Sequence, residues 1–146
     1  MENQLNTEPA KKSIKLDFKD SIYATGRRKK SIAKVWLKKG SGLIHVNGKK
    51  MIDYFQKPNL QIAICRPLTI TKRENEFDVK CSVKGGGLTG QAGAIIHGLS
   101  RAIVEFEPDL KPTLKKEKLT TRDSRAVERK KYGHRKARRS FQFSKR

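Results

Sequence analysis

The chain has 146 residues, of which 35 are lysine or arginine and 14 are aspartate or glutamate, so its formal net charge is +21. This length fits one domain, and no apolar run approaches the roughly 20 residues that a membrane-spanning helix needs. A charge excess of this size predicts a polyanionic partner.

The two ends of the chain differ in composition from its middle. Residues 1–20 lack the apolar stretch of a secretory signal and contain acids that transit peptides avoid, so we expect a disordered extension on a cytoplasmic or organelle-made protein. Residues 21–110 are expected to form a globular α/β domain. Residues 111–146 hold fifteen basic and three acidic residues and are expected to form a basic C-terminal arm.

Short strands open the expected domain. They cover residues 21–24 and 32–37, and the second alternates apolar and polar residues with the period of a half-buried strand. Residues 26–30 would connect the two strands as a basic loop. Residues 40–42 predict a hairpin loop, which would return the chain as a strand at residues 43–46.

The middle of the chain predicts helices on both sides of one strand. Residues 51–55 favour a helical turn, and residues 60–65 favour a short helix that Pro67 should end. Residues 77–84 alternate strictly between apolar and polar side chains, which predicts a strand. Apolar residues then recur at three- and four-residue steps over residues 92–106, the pattern of an amphipathic helix.

Individual residues add detail to the prediction for the amphipathic helix and for the segment that follows it. Gly98 lies inside the amphipathic helix, which indicates close packing of that helix on the sheet. Thr120 and Asp123 resemble an N-cap pair, so a short basic helix should start there and end at Gly133. The residues beyond Gly133 show no periodicity and are expected to be extended.

No residue pattern indicates catalysis or a metal site. Cys65 and Cys81 lie in apolar contexts without metal-ligand spacing, so we expect buried thiols rather than a disulfide. The three histidines are scattered along the chain. No nucleophile elbow or spaced pair of carboxylates stands out. We therefore expect no metal, no cofactor and no catalytic residue.

The glycines after the central strand allow two interpretations. Gly85, Gly87 and Gly90 satisfy the spacing G-x-G-x-x-G, which imitates a dinucleotide-binding fingerprint. That fingerprint needs a second parallel strand ending at an acidic residue, whereas Glu105 lies at the end of the predicted helix. The glycines are therefore interpreted as a tight turn, whose amides at a helix N-terminus can hold one phosphate of a larger polyanion.

The C-terminal tail favours nucleic acid over a membrane surface. Residues 129–146 contain nine lysines or arginines and no acid. The apolar residues of the arm share no helical face, which a membrane-surface helix would need. Aromatic rings are instead interleaved with the cations, as expected where rings stack on bases and cations contact phosphates. The alternative hypotheses are a DNA-compacting protein and a nucleotide-dependent enzyme built on the glycine turn.

Three stretches, at residues 24–35, 84–103 and 119–146, together resemble the bacterial form of small-subunit ribosomal protein nine. The resemblance covers about residues 22–146. It implies an α+β fold with a small mixed β-sheet packed by helices, similar to the second domain of small-subunit ribosomal protein five, and an extended basic C-terminal tail. It also implies a bacterial or organelle-encoded protein without enzymatic activity.

The same resemblance implies binding to small-subunit ribosomal RNA in the subunit head, beside neighbouring head proteins, and a tail that reaches the peptidyl-site transfer RNA. The residues expected to bind ribosomal RNA are the basic connection, the glycine turn and the tail cations: Arg27, Arg28, Lys29, Lys30, Gly85, Gly86, Gly87, Arg122, Arg125, Arg129, Lys130, Lys131, Arg135, Lys136, Arg138 and Arg139. Those expected to contact transfer RNA are Ser144, Lys145 and Arg146. The tail departs from the family pattern at His134 and at Ser140 with Phe141.

Overall fold

The computed structural model of the protein describes residues 18–145. Most of the expected N-terminal extension and Arg146 lie outside the described residues. The described part of the chain forms one mixed sheet with helices packed on it, so the predicted α+β class is confirmed.

The sheet has five strands in the spatial order β1-β2-β5-β3-β4. Strand β2 pairs antiparallel with β1 and with β5, whereas β3 pairs parallel with β5 and antiparallel with β4. The strands are β1 Ile22–Arg28, β2 Ser31–Lys39, β3 Ile44–Val46, β4 Lys49–Lys50 and β5 Phe77–Lys84. The alternation predicted for β5 is confirmed, since its apolar residues are buried in turn.

The longest helix, α3, packs against β1 and β2, and α2 packs on α3. The apolar stripe of α3 is buried, as the sequence periodicity predicted. The helices are α1 Met51–Tyr54, α2 Pro58–Thr71, α3 Leu88–Phe106 and α4 Lys111–Lys116, with a 3-10 turn at Pro108–Leu110 between the last two. Leu114 in α4 and Leu119 beyond it are buried in the same core.

Strand β1 is longer than predicted and includes Gly26, Arg27 and Arg28. The predicted five-residue basic loop is therefore wrong, because only two residues connect β1 to β2. Gly26 faces α3, where a Cβ atom would lie 1.9 Å from the carbonyl oxygen of Ala94. The same atom would lie 2.3 Å from the backbone nitrogen of Gly98. The lack of a side chain at Gly26 thus allows the backbones of strand β1 and helix α3 to come into contact. The close packing expected at Gly98 is confirmed.

The predicted hairpin between β2 and β3 is also wrong, because β5 lies between these strands. The connection crosses the start of β5 and is held there by hydrogen bonds that its own amides donate. The amides of Ser41 and Leu43 donate to the carboxylate of Asp78 at 2.8 and 2.9 Å. The amide of Gly40 donates to the carbonyl of Glu76 at 2.8 Å. Such long-range contacts leave no local signal in the sequence.

The helix predicted at residues 60–65 continues through Pro67 and ends at Thr71. Pro67 is buried together with Ile64 and Leu68, so packing against the core outweighs the missing backbone hydrogen bond. Both cysteines are free thiols, of which Cys81 is buried and Cys65 half-buried. Burial raises the pKa of Cys81 to about 12.

The basic helix predicted between Thr120 and Gly133 is not formed. The carboxylate of Asp123 accepts hydrogen bonds from the side chain and amide of Arg125 instead of capping a helix. Beyond Gly133, where extended chain was expected, His134 and Ser140 form an isolated antiparallel bridge. These residues therefore close a short loop within the tail.

Candidate nucleic-acid interface

The turn between β1 and β2 lies directly beside the glycine turn that precedes α3. The hydroxyl of Ser31 donates to the carbonyl of Gly85 at 3.0 Å. A Cβ atom on Gly85 would lie 2.5 Å from the carbonyl oxygen of Lys30. Two predicted sets of site residues are thus brought together, and we call residues 27–30 with residues 85–87 the basic corner.

The glycine turn presents the uncapped N-terminus of α3 at this corner. Gly85 and Gly86 have φ angles of +75° and +64°, in the left-handed region that favours glycine. Gly87 precedes the helix, and no side chain caps the first turn. Nothing lies within 4 Å of a Cβ atom built on Gly87, so the space beside this residue is open. Free amides and the helix dipole together suit a phosphate group.

The segment after α4 adds cations to the corner. The Arg28 side chain lies along α3, where a Cβ atom on Gly93 would be 2.2 Å from its Cδ atom. Its Nε atom is 3.5 Å from the carboxylate of Asp123, which also pairs with Arg125 at 2.9 Å. Hydrogen bonds from Arg125, together with the charge of Arg28, hold the pKa of Asp123 well below its ordinary value. The ionised Asp123 thereby holds Arg125 beside Arg28.

A second basic groove, on the outer side of α3, was not predicted as a whole. Its volume is about 620 Å³, and we call it the α3 groove. Its charged and imidazole lining residues are His97, Arg101, Glu105, Lys111, Lys115 and Arg122. Only Arg122 was predicted as a site residue. Steps of four residues place His97, Arg101 and Glu105 on one helix face, a spacing that could have revealed the groove.

His97 ties the groove to the basic corner. The amide of Arg27 donates to Nδ1 of His97 at 3.3 Å, and the imidazole also hydrogen-bonds to the backbone of Thr120. Partial burial lowers the pKa of His97, and the neighbouring charges of Arg101 and Arg122 lower it further. A neutral imidazole therefore joins β1, α3 and the segment after α4.

The tail is exposed and makes local contacts. Glu128 accepts hydrogen bonds from Lys131 at 2.6 Å and from Arg138 at 3.0 Å, and these two donors lower its pKa. The guanidinium of Arg135 lies 5.6 Å from the ring centroid of Phe141. These contacts hold the tail to itself and leave its cations open to a partner.

Other site classes find little support in residues 18–145. This part of the chain contains no group of three or more His, Cys, Asp and Glu side chains that could hold a metal ion. In this part of the chain no strand follows α3. A dinucleotide-binding site needs such a strand to carry the acidic residue that binds the ribose, so the fold does not match that fingerprint. None of the described helices is long and apolar enough to cross a membrane.

A packed α+β domain with two adjoining cationic surfaces and an exposed cationic tail defines a nucleic-acid-binding protein. The model of the family described as ribosomal protein S9/S16 matches residues 26–146, and the chain belongs to this family. It is therefore a ribosomal protein of the small subunit, a structural constituent that binds ribosomal RNA and serves translation. The family is structural and non-enzymatic, and it works in the ribosomes of the cytoplasm or of an organelle.

Proposed function

We propose that the protein binds ribosomal RNA of the subunit head through the basic corner and the α3 groove, and that its tail extends to the peptidyl-site transfer RNA. The observation that carries this proposal is the contact between the β1–β2 turn and the glycine turn at Ser31 and Gly85. It places the turn that carries Lys29 and Lys30 beside the uncapped N-terminus of α3 before any RNA is present. A preformed site of this kind binds phosphate without first having to fold.

The corner and the groove offer two separate rows of positive charge. Arg28, Lys29 and Arg125 line one recess, of about 310 Å³. Arg101 and Lys115 line the larger groove on the outer side of α3. Two RNA segments can therefore approach the domain from two sides, and the protein would reduce the repulsion between them. This is the mechanism expected of a structural RNA-binding protein: charge neutralisation and shape rather than chemistry.

The tail supplies the remaining contacts in this proposal. Its cations from Arg129 to Arg139 would follow ribosomal RNA, while Ser144, Lys145 and Arg146 would contact transfer RNA. The exposed ion pairs of Glu128 contribute little, so Lys131 can exchange that carboxylate for phosphate. The wholly exposed ring of Tyr132 is available for stacking on a base. The basic end of the tail also supports assignment to a bacterial or organelle-encoded ribosome.

Neutralising the tip of the tail tests its role. In the double variant Lys145→Gln with Arg146→Gln, we expect weaker binding of peptidyl-site transfer RNA and normal incorporation into the small subunit. The matched control is Lys49→Gln with Lys50→Gln, which removes the same charge from the exposed strand β4. If the tip variant fails to assemble, the tip has an architectural role. If it binds transfer RNA as the control does, the proposed contact is wrong.

Competition tests the choice of nucleic acid. The full chain should prefer folded small-subunit ribosomal RNA over duplex DNA of equal phosphate concentration at matched salt, because its two surfaces have a fixed shape. The ratio of the two affinities is read from filter retention. Equal affinities would favour the DNA-compacting alternative over ribosomal RNA binding.

A further inference from the structure

The face of the sheet opposite α3 carries a group of side chains outside the core, of which only Arg27 also belongs to the basic corner. The strand register places Tyr23, Trp36 and Lys80 in one row across β1, β2 and β5. The parallel rows on the same face are Thr25, Lys34 and Ser82, and Arg27, Ile32 and Lys84. We call these nine residues the open face.

Two aromatic rings lie near the centre of the open face. The ring centroids of Tyr23 and Trp36 are 5.4 Å apart, and the planes are inclined by 45°. Tyr23 remains 45% exposed, and the ammonium of Lys80 lies 5.8 Å from the ring centroids of both Trp36 and Phe18. A cross-strand aromatic pair stabilises a sheet by itself, but that role does not require a half-exposed ring flanked by a cation. Exposed rings beside cations are the arrangement on which nucleic-acid bases stack.

The charge of the open face is positive and little compensated. Arg27, Lys34 and Lys84 are exposed on it. Asp78 is the one acid in β1, β2 and β5, and its carboxylate is occupied by the amides of the loop after β2. Burial alone would raise the pKa of Asp78, but hydrogen bonds from Leu43 and Ser41 outweigh burial and keep its pKa below the ordinary value.

The open face is also continuous with the basic corner. Arg27 and Lys84 end the row nearest the corner, since Arg28 pairs with Ser31 across the turn and Gly85 follows Lys84 directly. A strand of RNA whose phosphates lie at the corner can therefore continue onto the sheet. Positive charge and this continuity select an RNA occupant over an apolar protein surface.

We propose that the open face binds a single-stranded segment of ribosomal RNA, with one unpaired base stacked on the half-exposed ring of Tyr23 beside Trp36 and the flanking phosphates on Lys34 and Lys84. This inference rests on the proposed binding of ribosomal RNA and adds a base-stacking subsite to it. Stacking on an aromatic ring is tolerant of base identity, so the subsite selects unpaired RNA rather than a sequence.

The fluorescence of Trp36 reports directly on this subsite, because the chain contains one tryptophan. The full chain is titrated with single-stranded polyadenylate and with inorganic polyphosphate of equal charge, at the same salt concentration. Polyadenylate should quench the fluorescence saturably, whereas polyphosphate binds the cations but cannot stack. Equal quenching by both polyanions would overturn the proposal.

Variants of Tyr23 separate stacking from charge. Tyr23→Ala should lower the affinity for polyadenylate roughly tenfold, and Tyr23→Phe should retain it, since the ring is kept. Ile62→Ala is the matched control, because Ile62 is a 70% exposed apolar residue on α2. Thermal melting verifies that each variant is folded. Wild-type affinity in Tyr23→Ala, or an equal loss in Tyr23→Phe, would contradict stacking.

Ribosomal RNA itself distinguishes this inference from the function on which it rests. Filter retention measures binding of small-subunit ribosomal RNA to the full chain, while Trp36 fluorescence is recorded in the same samples. Retention with quenching supports both proposals. Retention without quenching overturns the stacking subsite alone. Failure of retention overturns the binding of ribosomal RNA as well.

Discussion

The basic corner and the tail carry charge of the same sign but differ in how much of their structure exists before binding. At the corner, Ser31 and Asp123 bond to groups on other parts of the fold and hold the cations in position. In residues 129–145 the contacts are local and the side chains are mostly exposed. In the binding proposed above, the corner would therefore select a shape, whereas the tail would be ordered by its partner and would contribute mainly electrostatic attraction.

The largest effect should follow removal of the tail. If its nine cations all meet phosphate, the logarithm of the affinity falls against the logarithm of salt concentration with a slope of about −6 from the tail alone, at roughly 0.7 per contact for single-stranded geometry. Deleting residues 129–146 should therefore make the slope shallower by about 6. Binding to ribosomal RNA is measured across a salt series. A change near 1 would reject extended contact along the tail.

The second largest effect is expected from a substitution at the contact between β1 and α3. Gly26→Ala places a Cβ atom 1.9 Å from a backbone oxygen, so strand or helix must shift. We expect the free energy of unfolding to fall by about 3 kcal/mol. The salt slope of the tail should remain, because the tail does not depend on this packing.

Gly87→Ala is the control for Gly26→Ala. Its Cβ atom would meet nothing within 4 Å, and its φ angle of −105° is open to any residue. Urea unfolding should show a change within about 0.5 kcal/mol for Gly87→Ala. Equal stability of the two variants would refute the close contact.

A smaller effect is expected in the α3 groove. Arg101→Gln should lower the binding free energy of ribosomal RNA by roughly 1 kcal/mol and reduce the salt slope by about 1, as loss of one phosphate contact does. Arg66→Gln is the matched control, because Arg66 is an exposed arginine on α2 that pairs with Glu117 at 2.6 Å. Equal affinities of the two variants would show that the groove does not contact RNA.

The smallest effect should be the pH dependence that His97 gives to the domain. Because its pKa is lowered in the folded state, the unfolded chain takes up a proton first as the pH falls below about 6.5. Stability should therefore be full above that pH and decline as the pH falls toward the lowered folded-state pKa. Urea midpoints of the wild type and of His97→Gln give the test. Parallel pH profiles would show that His97 has no such role.

The sequence predicts those parts of the fold whose signal is local. The alternation that marks β5 and the apolar periodicity of α3 both depend on neighbouring residues, and both are confirmed. The predicted hairpin at residues 40–42 was wrong because the pairing of β3 with β5 is long-range. The prediction that Pro67 ends the helix was wrong, because the local tendency of proline to end a helix is weaker than the stabilisation from burial against α3.

The candidate site, like the fold, has parts that the sequence predicts from local signals and parts that depend on long-range contacts. The basic residues at 27–30 and the glycines at 85–87 were predicted separately, and the sequence spacing gives no sign of their contact through Ser31. Arg101 and Lys115 look like ordinary surface residues until the fold brings α3 and α4 together. The expected roles of the tail residues, and the division of the chain at residues 20 and 110, stay predictions.

The contact of Gly26 with Gly98 has a consequence for recognition. Main chain meets main chain there, so the separation between the arginines of β1 and the amides that open α3 cannot adjust by rotation of side chains. The distance between these two groups is therefore fixed. Under the RNA binding proposed above, RNA whose phosphates match that distance would be retained and RNA of another curvature would be rejected. Discrimination between RNA shapes would then depend on two uncharged glycines as much as on the cations around them.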